Sequence, residues 1–170
     1  MIATVVSRIA GALVLMAATL AAAAPAQGAA IEGTWRAPNG AEISVSPCPE
    51  GYCGTLSWIV MPRDQAALCA SMPKDDFAPL ILDYKNENKA MQTRSLLGVR
   101  MLTLKPGNGP EGYSGTVYNA EEGKSYDVLI WILKGQTLRL GGGCLGSFCA
   151  VTQDWPRVAD REVAPDFTCG

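Results

Sequence analysis

Gly143-Cys-Leu-Gly-Ser-Phe-Cys-Ala-Val-Thr-Gln-Asp-Trp-Pro-Arg157 reads as a stapled turn running into a final strand. Four residues separate Cys144 from Cys149, and Gly146 and Ser147 between them suit a chain reversal, so the two sulfurs are placed to bridge the end of a hairpin. The strand that follows ends in Trp155 and Arg157. A last strand left at a sheet edge is an open template for other chains, and a barrel removes that edge by returning the last strand to the first. Gly33-Thr34-Trp35, near the other end, is the segment to return to. The expectation is a closed β-barrel.

Working back from that closure, short alternating runs are separated by Gly, Pro, Asn and Glu, the punctuation of an all-β sandwich or barrel. The first strand is Gly33 to Arg36. In the second, Ala41 to Cys48, Ile43 and Val45 face one side and Glu42, Ser44 and Ser46 the other. The third, Tyr52 to Val60, puts Leu56, Trp58 and Val60 on one face. Five more follow: Ser95 to Leu104, Tyr113 to Asn119, Ser125 to Leu133, Thr137 to Gly141 and Phe148 to Val158. Eight antiparallel strands in simple order make an up-and-down barrel, either packed inside or holding one small ligand. The strand Tyr126 to Leu133 is apolar on both faces, so its outer face needs cover from the long loop, the tail or a partner.

Between strands three and four, residues 61–93 lose the alternation. Pro62, Pro73 and Pro79 break it, and Asp64 is positioned to cap one helical turn through Ala67 and Cys69. A connection this long in a compact domain is commonly functional, so a gate at the open end is expected there.

Residues 1–30 carry Arg8, an Ala-rich apolar run from Ile9 to Ala24 and small residues before Ile31, the layout of a cleaved secretory signal with cleavage after Gly28 or Ala30. The run is shorter than the ~20 strongly apolar residues a bilayer span needs. No Cys near the cleavage region accepts a lipid. The expected division is a signal at 1–30, one barrel domain at 31–158 and a tail at 159–170, with a periplasmic or secreted address and a monomeric state. Removing Arg8 takes 14 basic residues to 13 against 16 acidic ones, a net charge of −3 with both signs scattered, which argues against nucleic acid as a partner.

The six cysteines of an exported chain imply disulfides. Cys48 and Cys53 have the same four-residue spacing as Cys144 and Cys149 and should staple a second hairpin. Cys69 and Cys169 are left, and a bridge between them would tie the tail to the long loop. Two free thiols or an intermolecular bond are the alternatives. A zinc site would require reduced thiolates.

Several segments together resemble the bacterial exported family labelled as a domain of unknown function, DUF2147. They are Gly33-Thr-Trp35, Cys53-Gly54-Thr-Leu-Ser-Trp58, Asp83-Tyr-Lys-Asn86, Arg94-Ser-Leu-Leu-Gly98, Gly115-Thr-Val-Tyr118, Gly123-Lys-Ser-Tyr126 and Gly143-Cys144 through Gln153-Asp-Trp155-Pro-Arg157. The chain departs from the family pattern at Glu87, Ser95 and Tyr113. The resemblance implies a lipocalin-like, calycin-type barrel in which Arg157 covers Trp35, a guanidinium over an indole worth roughly 0.5 to 2 kcal/mol. It brings no activity and no catalytic residues.

Candidate sites follow from the barrel. Trp58, Val60, Val99, Met101, Val117, Val128, Ile130 and Leu140 are candidate wall residues for an apolar or amphipathic ligand. Asp83, Asn86 and Arg94 are loop candidates, and turn-forming side chains or an Asp83 to Arg94 ion pair are favoured over a calcium site because Lys85 and a missing Gly spoil the ligand pattern. Gly141, Gly142 and Gly143 read as flexibility at a barrel corner, since no phosphate-loop Lys or following helix accompanies them. The chain has no His, which removes the commonest general base. Glu42, Asp83, Asp127 and Asp154 remain for carboxylate chemistry, with nothing in their spacing to select a pair. No cofactor is expected. Non-catalytic ligand binding is the leading reading, ahead of a packed module acting through its surface and of a carboxylate-based hydrolase.

Overall fold

The computed structural model describes residues 30–107, 112–146 and 148–170. The expected signal segment lies outside them except for Ala30, as do Asn108 and Gly109 of the turn expected at Pro106-Gly107-Asn108-Gly109 after the fourth strand.

Eight strands close into an antiparallel barrel: β1 Gly33–Arg36, β2 Glu42–Cys48, β3 Gly51–Val60, β4 Arg100–Pro106, β5 Gly112–Asn119, β6 Lys124–Leu133, β7 Thr137–Leu145 and β8 Phe148–Val158. Each pairs with its sequence neighbour, and β8 returns to β1 through Thr34↔Val158 and Trp35↔Arg157. The β2–β3, β4–β5 and β6–β7 turns share one end of the barrel, and the β1–β2, β3–β4, β5–β6 and β7–β8 connections share the other.

The first end is plugged. Trp35 is fully buried, its Nε1 donates to the Ile31 carbonyl at 2.8 Å, and the Arg157 guanidinium lies 4.1 Å from its ring centroid. Arg157 also donates to the carbonyls of Gly135, Glu32 and Ala30, which joins the N-terminal segment, the β6–β7 turn and β8 at one group. Gly33 is required here. Its φ is +115°, and an added Cβ would sit 2.4 Å from the Arg157 guanidinium. Above the plug, Leu102, Leu104, Ile130, Ile132 and Leu138 fill the lower barrel.

Residues 61–99 are not an irregular lid. They form helix α1 Arg63–Ser71, the short helix α2 Lys74–Phe77 and two 3-10 turns, and they bury Met61, Cys69, Phe77 and Ile81 in a second apolar cluster with Phe167 of the tail. Asp64 does not cap α1. The helix starts directly after Pro62, a residue with no N–H to satisfy, and Asp64 sits in its first turn. The fourth strand starts at Arg100 rather than Ser95, because Ser95 pairs with Leu82 in an isolated bridge and Gly98 takes φ +78°.

The tail is the larger surprise. Asp166–Thr168 form a ninth strand, β9, parallel to Trp58–Val60 of β3, and Cys69 bridges Cys169. Together with Cys48–Cys53 and Cys144–Cys149, this leaves no described cysteine free. A bridge over a sequence separation of 100 can contribute about 4 to 5 kcal/mol by chain entropy, against about 2 for each short one.

Loop and tail meet over a bulge in β3. Ile43 pairs with Leu56 but Glu42 pairs with Trp58, so Ser57 is the extra residue and every side chain beyond it changes face. Trp58 therefore points outward, correcting the simple alternation Leu56, Trp58, Val60. Arg161 of the tail covers it, 3.6 Å from the ring centroid, and donates Nε to Glu42 at 2.7 Å and Nη2 at 2.8 Å. Arg36 reaches the same carboxylate at 2.8 Å. Glu42 is 1% exposed although it lies on the barrel's outer face, because the tail buries it. Burial opposes its ionisation, but hydrogen bonds and charge from Arg161 and Arg36 outweigh that and hold its carboxyl below the usual glutamate range. The outer face of β6 is not covered by loop or tail in this way: Leu129, Trp131 and Leu133 are half-buried and belong to neither cluster.

Two measurements test this account. Arg157→Ala removes a cation–π contact and three carbonyl hydrogen bonds, and it should cost about 2 to 4 kcal/mol in denaturant unfolding. Arg139→Ala breaks the exposed pair with Asp154 and should cost about 1 kcal/mol or less. Equal costs would mean that the plug is not a special point of the fold. Glu42 has a folded-state pKa below its unfolded value. Its contribution is therefore complete above the ordinary value of 4.5 and is lost as pH falls through the folded value. Glu42→Gln should lower the thermal midpoint at neutral pH and flatten its fall as pH drops below 4.5, with circular dichroism as the readout.

Candidate ligand cavity

The end of the barrel opposite the plug is hollow. A cavity of about 880 Å³ opens there, and its lining comes from the upper parts of the strands and two of the four connections at that end, β1–β2 and β5–β6. The floor is apolar: Ile43, Leu56, Met101, Val117, Val128, Leu140 and Trp155. Several of these also top the core below, so the floor is the upper surface of the packed layer. Small residues widen the mouth, with Ala37 and Ala41 at the β1–β2 connection and Gly142, Gly143 and Ala150 on β7 and β8. A Cβ at Gly142 would meet nothing within 4 Å.

The glycine run has a different role from a corner between strands. All three residues lie within β7. A Cβ at Gly141 would come 2.6 Å from Cys149 Sγ and 3.1 Å from Trp131, so that position is empty to admit the disulfide and the indole, while Gly143 takes φ +61°. The Cys144–Cys149 bridge then holds the hairpin tip at the rim, with Leu145 84% and Phe148 73% exposed.

The rest of the rim is polar. Asn39, Asn119, Glu121, Glu122, Tyr126 and Gln153 surround the opening. Asn39 Nδ2 donates to Glu121 Oε1 at 3.0 Å, linking the β1–β2 loop to the β5–β6 turn across the mouth. Asn119 Nδ2 donates to Glu122 Oε1 at 3.0 Å, and the Tyr126 hydroxyl donates to the other oxygen of Glu122. That bond to Glu122 raises the Tyr126 phenol above its usual value.

Of the wall residues expected from the sequence, Met101, Val117, Val128 and Leu140 line the cavity. Ile130 is on the inner face but one layer lower, in the packed core. Trp58 is turned outward by the bulge, and Val60 lies beyond it, against Gly40. Val99 is buried in the β3–β4 connection before β4 begins. Ile43, Leu56, Trp155 and the rim residues of the β5–β6 turn were missed. Ile43 and Leu56 carried the signal, since both sit on apolar alternating positions within segments already read as strands.

The loop candidates form a separate structure. Asp83 is buried, and its carboxylate accepts from Asn86 at 2.8 Å, from Arg94 Nε at 3.0 Å and from the Tyr118 hydroxyl. Asn86 also donates to the Tyr118 oxygen at 2.9 Å. Burial, then the hydrogen bond and charge of Asp83, push the Tyr118 phenol up to about 12. The cluster docks residues 61–99 on the outside of the β5–β6 hairpin, where Gly123 leaves room for the Lys85 carbonyl. No residue of that stretch lines the cavity, which corrects the expectation of a gate there. With every oxygen of Asp83 held by protein donors, the cluster is an anchor.

The four carboxylates considered for acid–base work are dispersed. Glu42 and Asp83 are each locked to arginine away from the cavity, and Asp154 pairs with Arg139 at 2.7 Å. Asp127 alone lines the cavity.

Comparison with known proteins agrees with this architecture. A structure described as protein HP1028 from Helicobacter pylori, of the lipocalin family, matches with a TM-score of 0.53 and 18% identity, covering 76% of this chain and 83% of the other. At that identity the likeness is one of fold. A lipocalin-like barrel is compatible with binding a small ligand, and no described helix is long and apolar enough to cross a membrane. No curated protein matches the chain. The model of a family described as uncharacterized protein conserved in bacteria matches residues 33–157, and the chain belongs to that family, DUF2147.

Proposed function

We propose that this barrel is a non-catalytic binding protein of the bacterial cell envelope that holds one small apolar or amphipathic molecule. The cavity carries the reading. Its volume of about 880 Å³ falls within the range usual for small-molecule sites, and it joins an apolar floor to a polar rim. A barrel serving only as a rigid module would be filled to the top, as this one is filled below Ile43 and Leu140. The absence of His, and the locking of Glu42, Asp83 and Asp154 to arginines away from the cavity, favour binding over hydrolysis.

Three disulfides fit an oxidising compartment, and the N-terminal segment fits export, with the mature protein periplasmic or secreted and monomeric. Cleavage after Gly28 suits the plug best, because it keeps the Ala30 carbonyl that Arg157 uses.

Native mass spectrometry of protein purified from its own envelope should show a reproducible added mass that survives gentle purification. Leu140→Trp places an indole over the floor and should remove that mass while leaving the protein folded, as judged by circular dichroism. Bare wild-type protein in every preparation, together with no uptake of any apolar probe, would sink the proposal.

A further inference from the structure

The cavity's charge distribution narrows the class of ligand, an inference that rests on the binding reading above. Glu121 and Glu122 line the cavity at its mouth, Asp127 borders it from an outward position of β6, and none of the described lining residues is Lys or Arg. The donors that Glu121 and Glu122 receive are neutral: an Asn39 amide, an Asn119 amide and the Tyr126 hydroxyl. Those bonds fix the carboxylates at the mouth and bring no positive charge to them. Three basic residues of the neighbouring outer face are committed elsewhere, Arg94 to Asp83 at 2.8 Å, Arg100 to Glu50 at 3.0 Å and Lys124 to Glu87 at 3.4 Å.

An anionic head group placed at this mouth would meet like charge with no counter-ion, whereas a cation would find both carboxylates and an aromatic ring. Tyr126 supplies that ring, lining the cavity while its hydroxyl holds Glu122. An aromatic face beside a carboxylate is the pairing that recognises ammonium and quaternary ammonium groups. Below it, Val117, Val128 and Leu140 accept an apolar chain.

We infer that the cavity selects an amphiphile with a cationic amine or quaternary ammonium head group on an apolar body, and discriminates against fatty-acid-like anions.

Isothermal titration of the purified protein with three probes of matched chain tests this, using dodecyltrimethylammonium, dodecanoate and the uncharged dodecyl maltoside below their micelle-forming concentrations. Dodecyltrimethylammonium should bind about tenfold more tightly than dodecanoate at low ionic strength, with the gap narrowing as salt is added. The double variant E121Q/E122Q should reduce that ratio several-fold. D154N, which removes a carboxylate from the outer face, should leave it unchanged. Equal affinities, a preference for dodecanoate, or an equal effect of D154N would overturn the inference while the binding function stands. Failure of all three probes to bind would count against the binding function itself.

Discussion

The fold turns on a seam only two residue pairs long. Thr34↔Val158 and Trp35↔Arg157 are the strand pairs that join β1 to β8, half as many as join β1 to β2. So short a ladder supplies few hydrogen bonds, and a barrel that opened there would expose two strand edges at once. Arg157 compensates by working across the seam. Its guanidinium lies over the buried indole of β1 while its N–H groups hold three carbonyls on two separate segments, the N-terminal stretch and the β6–β7 turn. A planar group with a fixed fork of donors can do this, and the compact ammonium of a lysine could not. One side chain thereby closes both the sheet and the lower end of the interior.

The second constraint is the bulge at Ser57. One extra residue turns Trp58 out of the barrel and into the path of the tail. Had the alternation run on, Trp58 would project into the cavity and fill much of it. Outside, it becomes the surface on which Arg161 lies, and Arg161 in turn accounts for a glutamate buried on the outer face. The tail, β9 and the Cys69–Cys169 bridge follow the same line of contacts, so the long β3–β4 connection is packed against the wall. A chain segment this heavily anchored is a poor gate, which is why the barrel mouth is left to short connections.

Strand number, order and closure were legible because period-two alternation and turn chemistry are local signals, and Gly33 to Trp35 and Arg157 gave the ends to join. The floor of the cavity was legible wherever alternation held, as at Met101, Val117, Val128 and Leu140. It failed at Trp58 and Val60, since a bulge of one ordinary Ser leaves no mark in composition. It failed at Ile130 for another reason: facing inward does not reveal whether a residue lies in the packed layer or the hollow one. The acidic rim was invisible as a site because Glu121-Glu122-Gly123 has the composition of any surface turn, and only closure brings Asn39 opposite it. The tail's ninth strand is three residues long, too short for any pattern.

That last difference, packed below and hollow above, explains how one barrel combines stability with a binding space. Bulky side chains are concentrated toward the plug, where Trp35, Leu102, Leu104, Ile132 and Leu138 meet with no exposed surface. Small residues are concentrated at the mouth, where Ala41, Gly142 and Ala150 contribute little volume. Close packing in the lower layer gives the apolar burial that folding requires, and the cavity costs little because its space is open to solvent and its walls are held from outside. The Cys144–Cys149 bridge fixes the β7–β8 side of the rim, and the Asp83 cluster anchors the β5–β6 side. Two rigid sides on a filled base keep the mouth open without a ligand to prop it, so a guest entering it would displace water rather than protein.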